Sequence, residues 1–326
     1  MAQRPVRVAV VGVGHVGAVH AQIYRRLRGV ELVAVCDVNL KRAKEIARTL
    51  RCEALAHTAA LIGRVDAASV CVPTSLHHAV GKPLLQGGLH LLIEKPLATT
   101  LQDADELIAL ARRRRLILQV GHVERFNAAV HAARAYLTHP RFIEAHRLSP
   151  YPFRGTDVSV VMDVMIHDLD LVLALVRAQP TRIDAVGVAV LSPSEDIANV
   201  RLRFASGCVA NLTASRISDE AIRRIRLFQE NCYLSINYKD QTVELARKTG
   251  RTIRRTTLAV TPRPPLEEEV RAFLHAVRTN RPPRLPAPRH QSGQAGVSAE
   301  DARAALALAL KIERVMRTTQ SIVHRP

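Results

Sequence analysis

Val6-Arg7-Val8-Ala9-Val10-Val11-Gly12-Val13-Gly14-His15-Val16-Gly17 runs a short apolar stretch into three glycines spaced G-x-G-x-x-G. Residues 6–11 predict a buried strand and 15–28 a helix, so the glycines stand at a strand-to-helix turn. Each glycine then has a task. Gly12 permits the tight turn, Gly14 lets the backbone approach a pyrophosphate, and Gly17 lets helix and strand pack closely. The helix start at His15 and Val16 offers N–H groups and partial positive charge to phosphates. A second strand at 31–36 ends in Asp37, 20 residues beyond Gly17. An acid there accepts hydrogen bonds from ribose hydroxyls and repels a 2′-phosphate, which predicts NAD rather than NADP. Alone, a glycine cluster is an ordinary turn and a strand-end acid a helix cap; the complete unit reads as a dinucleotide site.

Outward from this unit the same rhythm continues. A helix is expected at 40–50, a strand at 67–72, a helix at 76–87, a strand at 89–93, a helix at 101–114 and a strand at 116–120. Strands alternating with helices imply a doubly wound parallel sheet, and the continuously apolar strands fit one covered on both faces. After about residue 122 the pattern changes. A helix at 124–137, a strand near 141–148 and a long helix at 160–176 precede strand-like stretches between 182 and 247, including 197–204 and 208–214. Consecutive strands with short turns predict an antiparallel sheet. A helix at 266–279 follows the Pro-rich stretch 262–265, and 281–296 reads as a loop. Ser298 and Asp301 resemble a capping box opening a final helix to about 317. The expected division is a Rossmann domain over 1–122 and an α/β domain over 123–326, with the last helix able to pack back on the first.

The 326 residues suit two domains, and 48% hydrophobic content supplies two cores. With 3% aromatics and no Trp, those cores rest on Val, Leu, Ile and Ala. Five cysteines without a CxxC pair argue against a disulfide framework or zinc site and for a reducing cytoplasm, with Cys36 and Cys71 as small core residues. No run approaches the roughly 18 apolar residues of a membrane span, and the opening apolar run reads as structural rather than as a signal segment. The net charge is +18, and seven of the 47 basic residues are Lys. These residues are scattered, and the tight run Arg112–Arg115 falls at a helix end, where it complements the dipole. With so few aromatics for stacking, no nucleic-acid partner is expected; a field attracting a small anion is.

Three further stretches carry candidate chemistry. Val72-Pro73-Thr74-Ser75-Leu76-His77 and Glu94-Lys95-Pro96 follow strands at the carboxyl edge, where ligands bind in such sheets. A Lys there can donate to a nicotinamide ribose and a substrate hydroxyl and lower the pKa of a neighbouring base. The same residues also read as a capped turn and a solvated strand-end Lys. Asp163-Val164-Met165-Ile166-His167-Asp168-Leu169-Asp170 places Asp163 and His167 four apart on one helical face. His167 suits removal of a hydroxyl proton and Asp163 could orient it, although a capped helix with a core-facing His reads equally well. No third ligand is spaced for a metal, so none is expected.

These motifs together resemble the glucose–fructose oxidoreductase/inositol dehydrogenase (Gfo/Idh/MocA) family, end to end. The resemblance implies an N-terminal Rossmann domain and a C-terminal α/β domain whose open, mainly antiparallel sheet mediates dimers or tetramers. It implies that Gly12, Gly14, His15, Val16, Gly17, Asp37, Val72, Pro73, Thr74, His77, Glu94 and Lys95 line the cofactor. Lys95 would contact nicotinamide ribose and substrate, His167 would be the general acid/base, and Asp163 would hold substrate or orient the base. The second loop departs from the family's usual Thr-Pro-Asn, so the Asn contact is not carried over. Within the family, Gly121-His122-Val123-Glu124-Arg125-Phe126-Asn127 and 164–170 look most like the branch that oxidises the 3-hydroxyl of UDP-N-acetylglucosamine. There the ketone goes to an aminotransferase for 3-amino sugar nucleotides of lipid A or polysaccharide. Arg125, Asn127 and Arg154 are the expected substrate contacts, the arginines toward the diphosphate. The alternatives are an inositol or free-sugar dehydrogenase, or an NAD-sensing protein without turnover.

Overall fold

The computed structural model describes residues 4–151, 158–281 and 297–323. Its first ten elements are β1 (Val6–Val11), α1 (His15–Arg26), β2 (Val30–Cys36), α2 (Leu40–Leu50), β3 (Glu53–Leu55), β4 (Ala67–Val70), α3 (His77–Gln86), β5 (His90–Ile93), α4 (Leu101–Arg114) and β6 (Leu118–Val120). All six strands are parallel, in the order β3-β2-β1-β4-β5-β6. The order reverses between β1 and β4, the switch point at whose carboxyl edge ligands bind in doubly wound folds. β4 is buried throughout and β1 nearly so, as expected of strands covered on both faces.

The next ten elements are α5 (Ala128–Arg134), β7 (Phe142–Leu148), α6 (Ile166–Val176), β8 (Pro180–Val188), β9 (Ile197–Phe204), β10 (Val209–Ser215), β11 (Ile222–Gln229), β12 (Cys232–Asn237), β13 (Thr242–Thr249) and β14 (Thr252–Thr257). The strands form one sheet ordered β14-β13-β12-β11-β7-β10-β9-β8. Only β7 and β10 pair in parallel. Strict alternation of buried and more exposed residues along β7 and β9 gives this sheet one core-facing side. The edge strand β14 is exposed along its whole length, so no burial pattern marks it in the sequence.

Two helices complete the chain, α7 (Pro265–Thr279) and α8 (Ala299–Val323). The chain forms two compact units: α7 and the start of α8, through Arg303, group with residues 1–122, and the rest of α8 with the second sheet. Val270, Phe273, Leu274 and Ala276 of α7 share a core with Val6, Tyr24 and Leu27. The capping box is reciprocal: the Asp301 amide donates to Ser298 Oγ at 3.0 Å and the Ser298 amide to Asp301 Oδ2 at 3.3 Å. Among the described residues, no helix is long and apolar enough to cross a membrane.

Two expected helices take a different form, and the short strands β3 and β14 have no counterpart in the sequence expectation. The helix expected at 124–137 is a 3-10 turn over Val123–Phe126 and then α5, because Asn127 adopts an extended conformation and caps the new helix. The helix expected at 160–176 opens with a π turn over Val161–Met165, in which the Ile166 amide reaches back to the Val161 carbonyl. Asp163 therefore sits in a wider turn than an α-helix provides, and the face it shares with His167 is not the simple i,i+4 one.

Candidate functional site

The glycine loop differs from residue to residue in what holds it. Gly12 has φ +82, and a Cβ there would lie 2.7 Å from the Cys71 carbonyl oxygen. A Cβ on Gly17 would lie 1.8 Å from the Gly12 carbonyl oxygen, so α1 can lie against the turn only with glycine at this position. Gly14 has an ordinary negative φ and would meet nothing within 4 Å. Nothing within the chain crowds a Cβ at position 14, and its backbone is open to the approach of a ligand. No side chain caps α1 and no acid lies in its first turn, leaving its dipole for an anion.

Asp37, at the end of β2, is oriented by the backbone. Its Oδ2 accepts from the Val13 amide at 2.8 Å and its Oδ1 from the Asn39 amide at 2.8 Å. Each oxygen keeps a second lone pair for a hydroxyl donor. Arg42, the nearby candidate for a 2′-phosphate, instead donates to the Val13 carbonyl at 3.3 Å and pairs with Glu45. Val16 in the first turn of α1, Val38 after β2 and Leu76 at the end of the 3-10 turn before α3 are exposed, Val38 at 95%, offering apolar faces to a flat ring. These features fit a dinucleotide.

His77 does not face a ligand. Its Nδ1 lies 2.8 Å from the Pro96 carbonyl oxygen and its Nε2 2.9 Å from that of Val72, so the ring ties Val72 to the Lys95–Pro96 segment. Burial pushes its pKa below the ordinary value, against the pull of the two carbonyls. Val72, Pro73 and Thr74 pass along the carboxyl edge, where Thr74 begins a short 3-10 turn. Lys95 is half-buried directly after Glu94.

Glu94 is the end of a buried polar chain. Its Oε1 is 3.2 Å from His20 Nε2; His20 Nδ1 is 3.0 Å from Ser69 Oγ; and Ser69 Oγ is 2.7 Å from the Tyr24 hydroxyl. A Cβ on Gly121 would come within 3.0 Å of the Glu94 carboxylate. Burial pushes the Glu94 carboxyl up, and His20 with Lys95 and His77 brings it below its ordinary value. Sequence reading missed His20, Ser69 and Tyr24. The available signal was a His at 20 and a Tyr at 24 on the buried stripe that also carries Gly17. Cys36 is buried as expected, whereas Cys71 is only half-buried, its Sγ part of a trio with His20 and Glu94 whose atoms lie within 4.8 Å.

The second unit carries Asp163 and His167, both half-buried, so neither is sealed in the core. The expected substrate contacts fare differently. Arg125 is 6% exposed and forks onto Asp170, Nε to Oδ2 at 2.5 Å and Nη2 to Oδ1 at 2.7 Å, so its charge is spent inside the unit. Asn127 is 1% exposed; it accepts from the Ala129 amide and donates to the Tyr238 carbonyl at 3.0 Å, an internal cap rather than a ligand contact. Arg154 lies outside the described residues. Beside His167, Asp168 receives both Nε and Nη2 of Arg147, which also reaches Glu124.

Comparison with known proteins places this geometry. Residues 6–122 match the family described as oxidoreductases with an NAD-binding Rossmann fold, and 121–234 match the GFO/IDH/MocA C-terminal domain. The UDP-N-acetylglucosamine 3-dehydrogenase of Acidithiobacillus ferrooxidans is 40% identical over 283 residues, covering 85% of this chain and 90% of that protein. A solved structure of that enzyme aligns at TM-score 0.88 and 37% identity, covering 97% of this chain and 99% of the other. The myo-inositol 2-dehydrogenase of Thermotoga maritima is 26% identical over 339 residues, covering 97% and 98%. With both parts matched and a 40% identical relative spanning most of its length, the chain belongs to the Gfo/Idh/MocA family of NAD-binding oxidoreductases.

Proposed function

We propose that this protein oxidises the 3-hydroxyl of UDP-N-acetylglucosamine, with NAD as acceptor. The observation that carries the reading is the 40% identity to the dehydrogenase of that name across 90% of its length. The inositol dehydrogenase relative covers as much of the chain at only 26% identity. NAD, when bound, supplies the hydride acceptor, and the remaining work falls to this chain. Gly14 and the start of α1 would take the pyrophosphate, and Asp37 a ribose, selecting NAD over NADP. Lys95 would fix a ribose and the substrate hydroxyl. His167 would take the hydroxyl proton, with Asp163 orienting it or holding the sugar. The resulting ketone is a natural substrate for an aminotransferase, which would make a 3-amino sugar nucleotide for lipid A or polysaccharide in the cytoplasm. The half-exposed Phe142, Phe228 and Tyr233, packed as tilted rings with centroids 5.6 and 4.8 Å apart, favour a homodimer or homotetramer built on this sheet.

The test is NADH absorbance when purified protein meets NAD and UDP-N-acetylglucosamine, with an aminotransferase or ketone trap to draw the reaction forward. NADH formation lost in His167→Ala supports substrate and base together. Turnover with inositols or free sugars, and none with the nucleotide sugar, overturns the substrate.

A further inference from the structure

The chain Tyr24–Ser69–His20–Glu94 belongs wholly to the first unit, and its first three members are 0% exposed. Its proton positions follow from two premises, an ionised Glu94 and a neutral His20 imidazole. A carboxylate only accepts, so His20 Nε2 must carry the proton that points to it. A neutral imidazole then has a lone pair on Nδ1, so Ser69 must donate to it. Ser69 Oγ in turn accepts from the Tyr24 hydroxyl, whose proton burial holds more tightly than usual. Each of the three side-chain hydrogens is used once, and reversing any one bond leaves a buried group without its partner. The far end, Tyr24, is sealed in the core, while the Glu94 side chain keeps 17% exposure at the carboxyl edge next to Lys95.

We infer that His20, backed by Ser69 and Tyr24, is a positioning residue that holds the Glu94 carboxylate ionised and fixed at the cofactor edge, which raises the protein's affinity for oxidised nicotinamide dinucleotide relative to reduced. The inference rests on the cofactor site and is independent of which sugar is oxidised. The physical reason is charge. The oxidised nicotinamide ring is a cation and the reduced ring is neutral. Lys95 is a second cation at this edge, and the Glu94 charge opposes both. Without it, the edge loses one negative charge that opposes a cationic ring, and only the oxidised form pays that penalty.

The same atoms invite a rival, since His20, Cys71 and Glu94 donors lie within 4.8 Å of one another. A metal there would require a Cys71 thiolate. Burial, with Glu94 and Glu269 nearby, pushes that thiol well above its ordinary value, which argues for the hydrogen-bonded chain.

The experiment measures dissociation constants for NAD+ and NADH by calorimetry or nucleotide fluorescence on the full chain. The variants are His20→Phe, His20→Gln, Ser69→Ala and Glu94→Gln, with thermal unfolding of each without nucleotide as the folding control. His20→Phe and Glu94→Gln are expected to weaken NAD+ about tenfold and leave NADH within about twofold, the size of one charge-assisted hydrogen bond. His20→Gln keeps an N–H for Glu94 and should retain most of the preference, and Ser69→Ala should fall between. Equal weakening of both nucleotides, no change in either, or stoichiometric zinc in the purified wild type overturns the inference. Wild-type protein that binds neither nucleotide overturns the cofactor site and the inference with it.

Discussion

Replacing Arg147 with Met removes a guanidinium shared by two buried acids, Asp168, which follows His167 in the chain, and Glu124. Arg147 Nε and Nη2 hold Asp168 at 2.8 and 3.0 Å, Nη1 holds Glu124 at 3.0 Å, and the group lies 5.2 Å from the Tyr238 ring centroid. The three charged residues are 2–7% exposed. Burial raises the Asp168 carboxyl; Arg147, whose own proton the two acids hold more tightly, offsets that cost. Met keeps the stem but strands two carboxylates, and breaking a buried pair this way costs about 3–5 kcal/mol. For a unit of this size that is a melting-temperature loss of about 6–20 °C. The pH dependence has a definite sign. In the variant the folded Asp168 binds its proton more tightly than the unfolded one, so stability falls as pH rises through the carboxylate range toward the folded value. The deficit against wild type should be larger at pH 8 than at pH 5, and Asp168→Asn added to Arg147→Met should recover part of it. Thermal or urea unfolding followed by circular dichroism at both pH values checks this. A loss under about 1 kcal/mol, which is surface-pair behaviour, or a deficit that widens on acidification, refutes the reasoning.

Gly14→Ala should leave stability within about 0.5 kcal/mol while weakening NAD at least about tenfold, whereas Gly17→Ala should lower stability itself; unfolding and calorimetry on the two variants separate these roles. Arg125→Leu should destabilise by about 3–5 kcal/mol through the stranded Asp170, and its folded fraction should keep the wild-type KM for substrate, a result that steady-state kinetics can contradict. Asp37→Asn should weaken NAD by about tenfold and narrow its advantage over NADP, read as the ratio of the two dissociation constants. Burial lowers His131 to about 4 from an ordinary 6.5, so the unfolded chain binds the extra proton first and stability drops as pH falls through that window. His131→Gln should flatten this acid limb in urea titrations.

Some of the site was legible because its determinants are local. Gly12 is marked by the positive φ of the turn and Gly17 by its contact with the Gly12 carbonyl oxygen, and Asp37 by its place at the next strand end. Others misled for the opposite reason. The family resemblance of Gly121–Asn127 points to substrate contacts at Arg125 and Asn127. Their partners, Asp170 and the Tyr238 carbonyl, lie 45 and 111 residues away. His20 looked like one more residue of an amphipathic helix until Ser69 and Glu94, 49 and 74 residues on, met its two nitrogens.

The sequence by itself determined the alternation of strand and helix, the phosphate turn and the change to consecutive strands near residue 122. Hydrophobic period and turn chemistry act over a few residues, and those are written along the chain. Only the tertiary structure decided that α7 returns to the first core, that a π turn carries Asp163, and that three buried groups stand behind Glu94. Whether a polar side chain faces a ligand or a distant carbonyl depends on which segments fold against it, and no local pattern encodes that.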